Sequence, residues 1–356
     1  MKRKLIFLSL ITSSFSGYAN DISFPPQQVN TEDRRLKGTN EYHNKLGTKI
    51  IIDKDNKKNL TASIISYEVY SEINNLAPNK RNGYKPVINI NKANDKRISH
   101  TVFKQMDIGE LGVYLNNLNL ANPASVIITE VNDTKASKLA GKLGILGKKA
   151  VLIVANPNGI ECSACGFTRT NNLTLLAGNI AYNNENNAII SPAKNKAVTF
   201  SGNIPLTNVD TVNIVASKYT TVSKTSLMAN KIVYRISNMP LAIDYNNIDD
   251  KMAHVNFGHY VPFIYSFKGA EFNNQENSVI NAKNISMYIS MGSFNNHGTI
   301  NNKGLFYFDV YGSKDSSYIN TGNIFTNTFD DLYYMDHNLI ENKQNGRFYI
   351  EYKKCR

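Results

Sequence analysis

Short runs with β character recur along most of this chain, and their spacing constrains the fold more than any other feature. From Val87 onward they fall at Val87–Ile90, Gly112–Leu115, Ser125–Val131, Ala150–Val154, Leu173–Leu176, Ala188–Ile190, Val212–Val215 and Lys231–Tyr234. The series continues at Ser278–Ile280, Ile285–Ile289, Leu305–Val310, Asn323–Phe325 and Phe348–Tyr352. Runs of this length bounded by turn residues read as strands. No helical periodicity of useful length separates them. Asn, which is poor in helix interiors and common in turns and left-handed corners, occurs 51 times in 356 residues, and that argues against a helical bundle. At 42% hydrophobic and 19% charged, the chain has the means to bury a core. The class is therefore all-β.

Two all-β architectures suit the spacing: an antiparallel sandwich or barrel, and a parallel β-solenoid. The first favours hairpin dipeptides and clean alternation. Asn-Gly occurs only at Asn82-Gly83, Asn158-Gly159 and Asn345-Gly346. Degenerate repeats such as Asn296-His297-Gly298-Thr299-Ile300 and Asn320-Thr321-Gly322-Asn323-Ile324 favour the second. In a solenoid, inward Val, Ile and Leu stack into ladders, and corner Asn side chains bond to their copies above and below. At roughly 20–25 residues per coil, residues 95–356 predict about a dozen coils.

The N-terminus carries a separate signal. Met1-Lys2-Arg3-Lys4, a mostly apolar stretch from Leu5 to Phe15 and the small-x-small site Gly17-Tyr18-Ala19 read as a secretory signal peptide over residues 1–19, cut after Ala19. The formal net charge is +12, and removing this segment takes away three positive charges. Lys and Arg are scattered without a block of five, so the expectation is a solubilising basic face, with an anionic lipid or glycan surface as the alternative. Nucleic acid is not an expected partner, because the aromatics form no stacking platform. No later apolar run approaches the roughly 20 residues that span a bilayer, so no integral membrane segment is expected. Residues 20–85 are polar and loop-rich, with short strand candidates at Ile50–Ile52 and Ala62–Val69, and have no assigned role.

The most specific signal is the stretch Ala150–Gly178. It contains Asn156-Pro157-Asn158-Gly159-Ile160 and then Cys162-Ser163-Ala164-Cys165. Ahead of it stand Ile98-Ser99-His100, Phe103, Asp107-Ile108-Gly109, Gly112–Asn117 and Val126–Val131; behind it stands Asn208–Ala216. In this order and spacing the set resembles the haemagglutination-activity, or two-partner secretion, domain. That domain opens exoproteins of the filamentous haemagglutinin and haemolysin type. The resemblance covers residues 86–240, with 241–356 read as further coils.

The resemblance implies a right-handed parallel β-helix with an N-terminal cap. It implies a partner: an outer-membrane transporter with periplasmic receptor domains, which exports the unfolded exoprotein to fold outside. It implies a role in secretion for Asn156, Pro157, Asn158, Gly159 and Ile160. A second family motif maps onto Asn122 and Pro123, although Ala124-Ser125 after them depart from the family pattern. Arg169 stands where a small polar residue is usual. A Cys-x-x-Cys here marks the haemolysin-like and contact-inhibition branches. Family members act as adhesins, cytolysins or contact-dependent toxins, with a host cell surface or glycan as a further partner class.

The residues support the motif on their own terms. Pro157 suits the second position of a turn, and Asn158 and Gly159 tolerate left-handed backbone. A tight solenoid corner and a contact for the transporter are both compatible with this. A turn also brings Cys162 and Cys165 within disulfide range, and in an exported chain a local disulfide is the first expectation. A zinc site lacks two further ligands, so no metal is expected. Cys355 is left over.

Other signals are weaker. The six His form no metalloprotease pattern and read as surface or satisfied side chains. Gly141-x-x-Gly144-x-x-Gly147 reads as turn chemistry. No catalytic residues and no cofactor are expected. The expected function is a secreted, haemolysin-like or adhesive exoprotein that reaches the cell surface through the periplasm. The alternatives are a β-helix enzyme acting on glycans, in the manner of a polysaccharide lyase, and a truncated export domain without its effector.

Overall fold

A computed structural model describes residues 39–55, 62–68, 84–118, 121–182, 188–244, 256–258, 269–311, 317–330, 341–343 and 346–350. The signal segment, most of the polar stretch before residue 84 and Cys355 lie outside the described residues. Among the described residues every regular element is a strand, and the strands form four sheets of 12, 8, 5 and 4 members.

Three of these sheets are the faces of a parallel β-solenoid. One coil shows the path. Val151–Ala155 lies in the 12-stranded long sheet, Ile160–Cys162 in the eight-stranded second sheet and Gly166–Thr168 in the five-stranded third sheet. The chain then re-enters the long sheet at Asn172–Leu176, parallel to Val151–Ala155. Past residue 200 the third sheet ends. Its place is taken by the first halves of long strands such as Asn203–Ala216 and Ser226–Ile236, which bend at an irregularity in register and finish in the long sheet.

The core is built of ladders, one residue per coil. Ile127, Leu152, Leu173, Val212, Ile232, Ile285 and Phe306 are successive register partners in the long sheet, and all belong to one buried cluster. In the second sheet the ladder begins with Ser137, Ile160 and Val198 and then becomes aromatic: Tyr219, Phe272, Phe294, Tyr318. Tyr219 and Phe272 stack at 4.8 Å between centroids, and Phe272 and Phe294 at 5.1 Å.

The coils number about nine rather than a dozen. The repeat itself is as expected where a coil is uninterrupted: Val126 faces Val151 in the coil that follows, and Asn323 faces Arg347. Two coils are much longer, because an insertion separates Asn172 from its partner Thr211 and another separates Ser226 from its partner Val279. These insertions hold Gly178–Tyr182, Ala188–Pro192, Leu241–Asp244 and Asn256–Gly258, which pair antiparallel as the fourth sheet. Ala188–Ile190, expected as a coil strand, therefore belongs to a hairpin outside the solenoid.

That outer hairpin covers the outward face of the long sheet. Ile180, Ala188 and Ile190 pack with Val126, Ile128, Val151, Ile153 and Val215 in a second buried cluster. This explains why Val151–Ala155 is apolar at every position: one set of side chains enters the core and the other lies under the hairpin. The first end is closed by antiparallel strands. Lys49–Ile52 pairs with Ile98–Asp107, and Ser63–Glu68 pairs with Tyr84–Asn89. They cover edges that parallel stacking would leave open. The described part of the unassigned polar stretch thus supplies the cap.

Candidate functional site

The Asn156–Ile160 corner joins the long sheet to the second sheet. The strand Val151–Ala155 delivers it and Ile160 anchors its exit, fully buried in the core. The Gly159 N–H donates to the Asn156 carbonyl at 3.1 Å, closing a four-residue turn with Pro157 in its second position, as the residue types predict. The left-handed backbone falls on Gly159 alone, at φ 108°, and not on Asn158. A Cβ on Gly159 would stand 2.9 Å from the Ala197 carbonyl oxygen of the next coil, so both the dihedral and the stacking require glycine.

Asn156 is fully buried, and its polar atoms are satisfied within the chain. Its Nδ2 donates to the Lys135 carbonyl at 2.9 Å and to Ser137 Oγ at 3.0 Å, both in the preceding coil. Its Oδ1 accepts the Asn158 N–H at 2.8 Å, and its own N–H donates to the Leu176 carbonyl in the following coil at 2.9 Å. Asn158 Nδ2 donates to the Asp133 carbonyl. One asparagine therefore clamps three coils. Pro157 and Asn158 are half-buried and present the outward surface of the turn.

The remaining predicted residues are distributed among other corners. Asn122 and Pro123 precede Val126–Val131, at the opposite edge of the long sheet and one coil earlier. Asn122 Nδ2 donates to the Ala93 carbonyl at 3.2 Å, and the Pro123 carbonyl accepts from Arg97 Nε at 3.3 Å. The two Asn-Pro motifs thus do not converge. Cys162 and Cys165 form a disulfide across the next corner, with Cα atoms 5.2 Å apart and both residues buried in the core. Cys162 sits in register between Leu139 and Phe200, so the disulfide occupies a ladder position. Arg169, with φ 60°, reaches back to the Gly147 carbonyl through Nε at 3.1 Å and Nη2 at 2.5 Å. Gly144 lies mid-strand under the Tyr114 ring, where a Cβ would come within 2.5 Å of it. Of the glycine triplet, only Gly147 has left-handed backbone, so turn chemistry does not explain Gly144.

A buried polar cluster escaped the sequence reading. His100 Nε2 lies 2.7 Å from Glu130 Oε2, and His100 Nδ1 lies 2.9 Å from the Tyr182 hydroxyl. Glu130 Oε1 accepts the Ile180 N–H at 2.9 Å. Burial, and next the nearby Glu130 charge, push the Tyr182 hydroxyl well above the ordinary tyrosine range. The cluster ties the outer hairpin to two strands of the long sheet. Its members are far from His100 in sequence, with no local motif to announce them. Among the described residues no group of three His, Cys, Asp or Glu is placed to hold a metal ion, and no helix is long and apolar enough to cross a membrane.

A capped parallel β-solenoid with an outer antiparallel sheet and an Asn-clamped corner places the chain among β-helical domains. The family model of the TPS secretion domain matches residues 70–304, and the chain belongs to that family, the secretion domain of two-partner exoproteins. The chain is 39% identical over 114 residues to filamentous hemagglutinin of Bordetella pertussis, covering 28% of this chain and 3% of that protein. It is 40% identical over 111 residues to the tRNA nuclease CdiA of Yersinia mollaretii, 26% of this chain and 4% of that protein. It is 33% identical over 120 residues to the hemolysin of Proteus mirabilis, 29% of this chain and 8% of that protein. The chain thus spans less than a tenth of the length of these relatives. Among solved structures, the filamentous hemagglutinin secretion domain aligns with a TM-score of 0.47 at 19% identity, over 75% of this chain and 92% of that one. The HMW1 secretion domain from Haemophilus influenzae aligns with a TM-score of 0.43 at 18% identity, over 68% of this chain and 72% of that one.

Proposed function

We propose that this chain is a secreted two-partner exoprotein, recognised in the periplasm by an outer-membrane transporter through Asn156–Ile160, with Asn122 and Pro123 assisting. It passes outward unfolded and acts at the cell surface as a haemolysin-like toxin or adhesin. One observation carries the recognition step. In the folded solenoid Asn156 is buried and its amide is bonded within the chain. A transporter that reads this asparagine does so before the corner forms. Folding outside then withdraws the ligand, and coil-by-coil stacking favours outward passage without a nucleotide. The short loop closed by Cys162 and Cys165 adds a local constraint and no bulky cross-link.

The test is export. The full chain is expressed with and without a cognate transporter, and medium and periplasm are assayed. Appearance in the medium only with the transporter, lost when residues 150–170 are deleted, is the expected result. Export of that deletion variant at the normal level, or periplasmic retention of folded protein with the transporter present, overturns the reading.

A further inference from the structure

Six of the 40 lysines and arginines, scattered in sequence, fall along one edge of the solenoid. This edge is the corner where each coil enters the long sheet. Its stacking is set by backbone bonds from Ser125 N–H to the Arg97 carbonyl, Ala150 N–H to the Arg169 carbonyl, and Asp210 N–H to the Asn171 carbonyl. In coil order it carries Arg97, Lys149, Arg169, Lys231, Lys283 and Lys303. Lys149, Lys231, Lys283 and Lys303 are exposed, and the last three fall in consecutive coils. Among the described residues of this corner the acids are Asp95 and Asp210.

The backbone beneath is held by asparagine side chains of the same corner. Asn230 Nδ2 donates to the Thr207 and Val209 carbonyls at 2.6 and 3.2 Å, and Asn284 Oδ1 accepts the Leu305 N–H at 3.1 Å. Asparagines thus fix the corner while lysines project from it. Coils stack at about 4.8 Å. Lys283 and Lys303 follow the register partners Ala282 and Asn302, while Lys231 pairs with Asn284, one residue beyond Lys283, so the three lysines are neighbours on one edge with Lys231 displaced by one position.

We infer that this edge is a binding site for a linear acidic polysaccharide laid along the solenoid axis. A row of cations on a rigid ridge complements a chain with repeated anionic groups, and each neutralised charge releases counterions from the polymer. A membrane would meet a prism edge along a line only, and Leu305, 39% exposed, is the one large exposed apolar side chain of this corner among the described residues, too little to insert. A single-stranded nucleic acid would need aromatic platforms, and the described residues of the corner offer none. This inference deepens the adhesive part of the proposed function, and it is tested on purified chain, so its failure leaves the export reading standing.

The experiment measures binding of the purified full chain to chondroitin sulfate and to alginate over a range of salt. The two probes separate sulfate-bearing from carboxylate-bearing polymers. The variant Lys231→Gln/Lys283→Gln/Lys303→Gln should lose at least tenfold in affinity, with the salt slope shallower by about two to three. Lys135→Gln/Lys194→Gln/Lys196→Gln, with the same change in net charge on exposed residues elsewhere, should stay within about twofold of the parent. Replacing the three ridge lysines with arginine should retain binding. Equal losses in both glutamine variants, tighter binding to anionic vesicles or to DNA than to either polysaccharide, or no binding to either polymer would overturn the inference.

Discussion

The two ends of this solenoid reach the same cross-section by different means. The early coils have three separate short strands, a mainly aliphatic core and individual fastenings: the Asn156 clamp, the Cys162–Cys165 disulfide and the His100–Glu130–Tyr182 tie beneath the outer hairpin. The later coils merge two faces into long bent strands and repeat one solution. The aromatic stack of Tyr219, Phe272 and Phe294 fills the core. Beside it, Asn274 Nδ2 donates to Asn296, Asn296 to Asn320 and Asn320 to Asn342, each at 2.7 Å. A ladder of identical bonds propagates a fold once it has started. It does not mark one coil as different from the next. The early coils carry the marks that a partner could read, and the later ones extend the template they provide.

Substitution in the aromatic stack should have the largest effect. Phe272→Ala removes a fully buried ring between Tyr219 and Phe294 and should cost about 3–5 kcal/mol. Because coils contact only their neighbours, urea unfolding should split into an early transition of the later coils and a retained transition of the early ones. A single cooperative loss would show that the two ends are one unit.

Alkaline pH should also act on the later coils. Burial raises the Tyr219 and Tyr234 hydroxyls above the ordinary tyrosine range, so each stays neutral in the folded state where the unfolded chain would ionise. Stability is therefore full below about pH 10 and is lost as pH rises above it, by about 1.4 kcal/mol per pH unit for each tyrosine. Unfolding at pH 9 and pH 11 checks this, and the variant with both residues changed to Phe should have a much flatter profile.

The smallest of the three effects sharpens the contrast most. Asn156→Ala and Asn296→Ala each strand buried partners and should each cost about 1–3 kcal/mol. If the corner is read by a transporter and the ladder is not, only Asn156→Ala should lower export beyond what its stability loss explains. Export rates compared at matched stability decide this, and equal export defects would reduce the corner to a structural joint.

Much of this is legible in the residues. The turn at Asn156–Gly159 is readable because its chemistry is local: Pro supplies a fixed φ and Gly the left-handed position. The disulfide is readable because its partners are close neighbours in sequence. Asn296 and Asn320 are visible as repeats, and they face each other in register. The residues overcount the coils because the insertions that form the outer sheet are counted into the repeat; their strands pair antiparallel instead, Ile180 with Ile190 within one insertion and Ile189 with Ala242 of the other.

The sequence by itself determined the all-β class and the tight turn at Asn156–Gly159, since these rest on strand propensity and dihedral limits within a few residues, and its degenerate repeats favoured a solenoid over a sandwich. The tertiary structure alone decided which long-separated groups meet. It buried His100 against Glu130 and Tyr182, and it brought Lys231, Lys283 and Lys303 to one edge in consecutive coils. The physical reason is the coil itself. Stacking makes neighbours of residues a whole coil apart, and the inserted strands set that interval coil by coil.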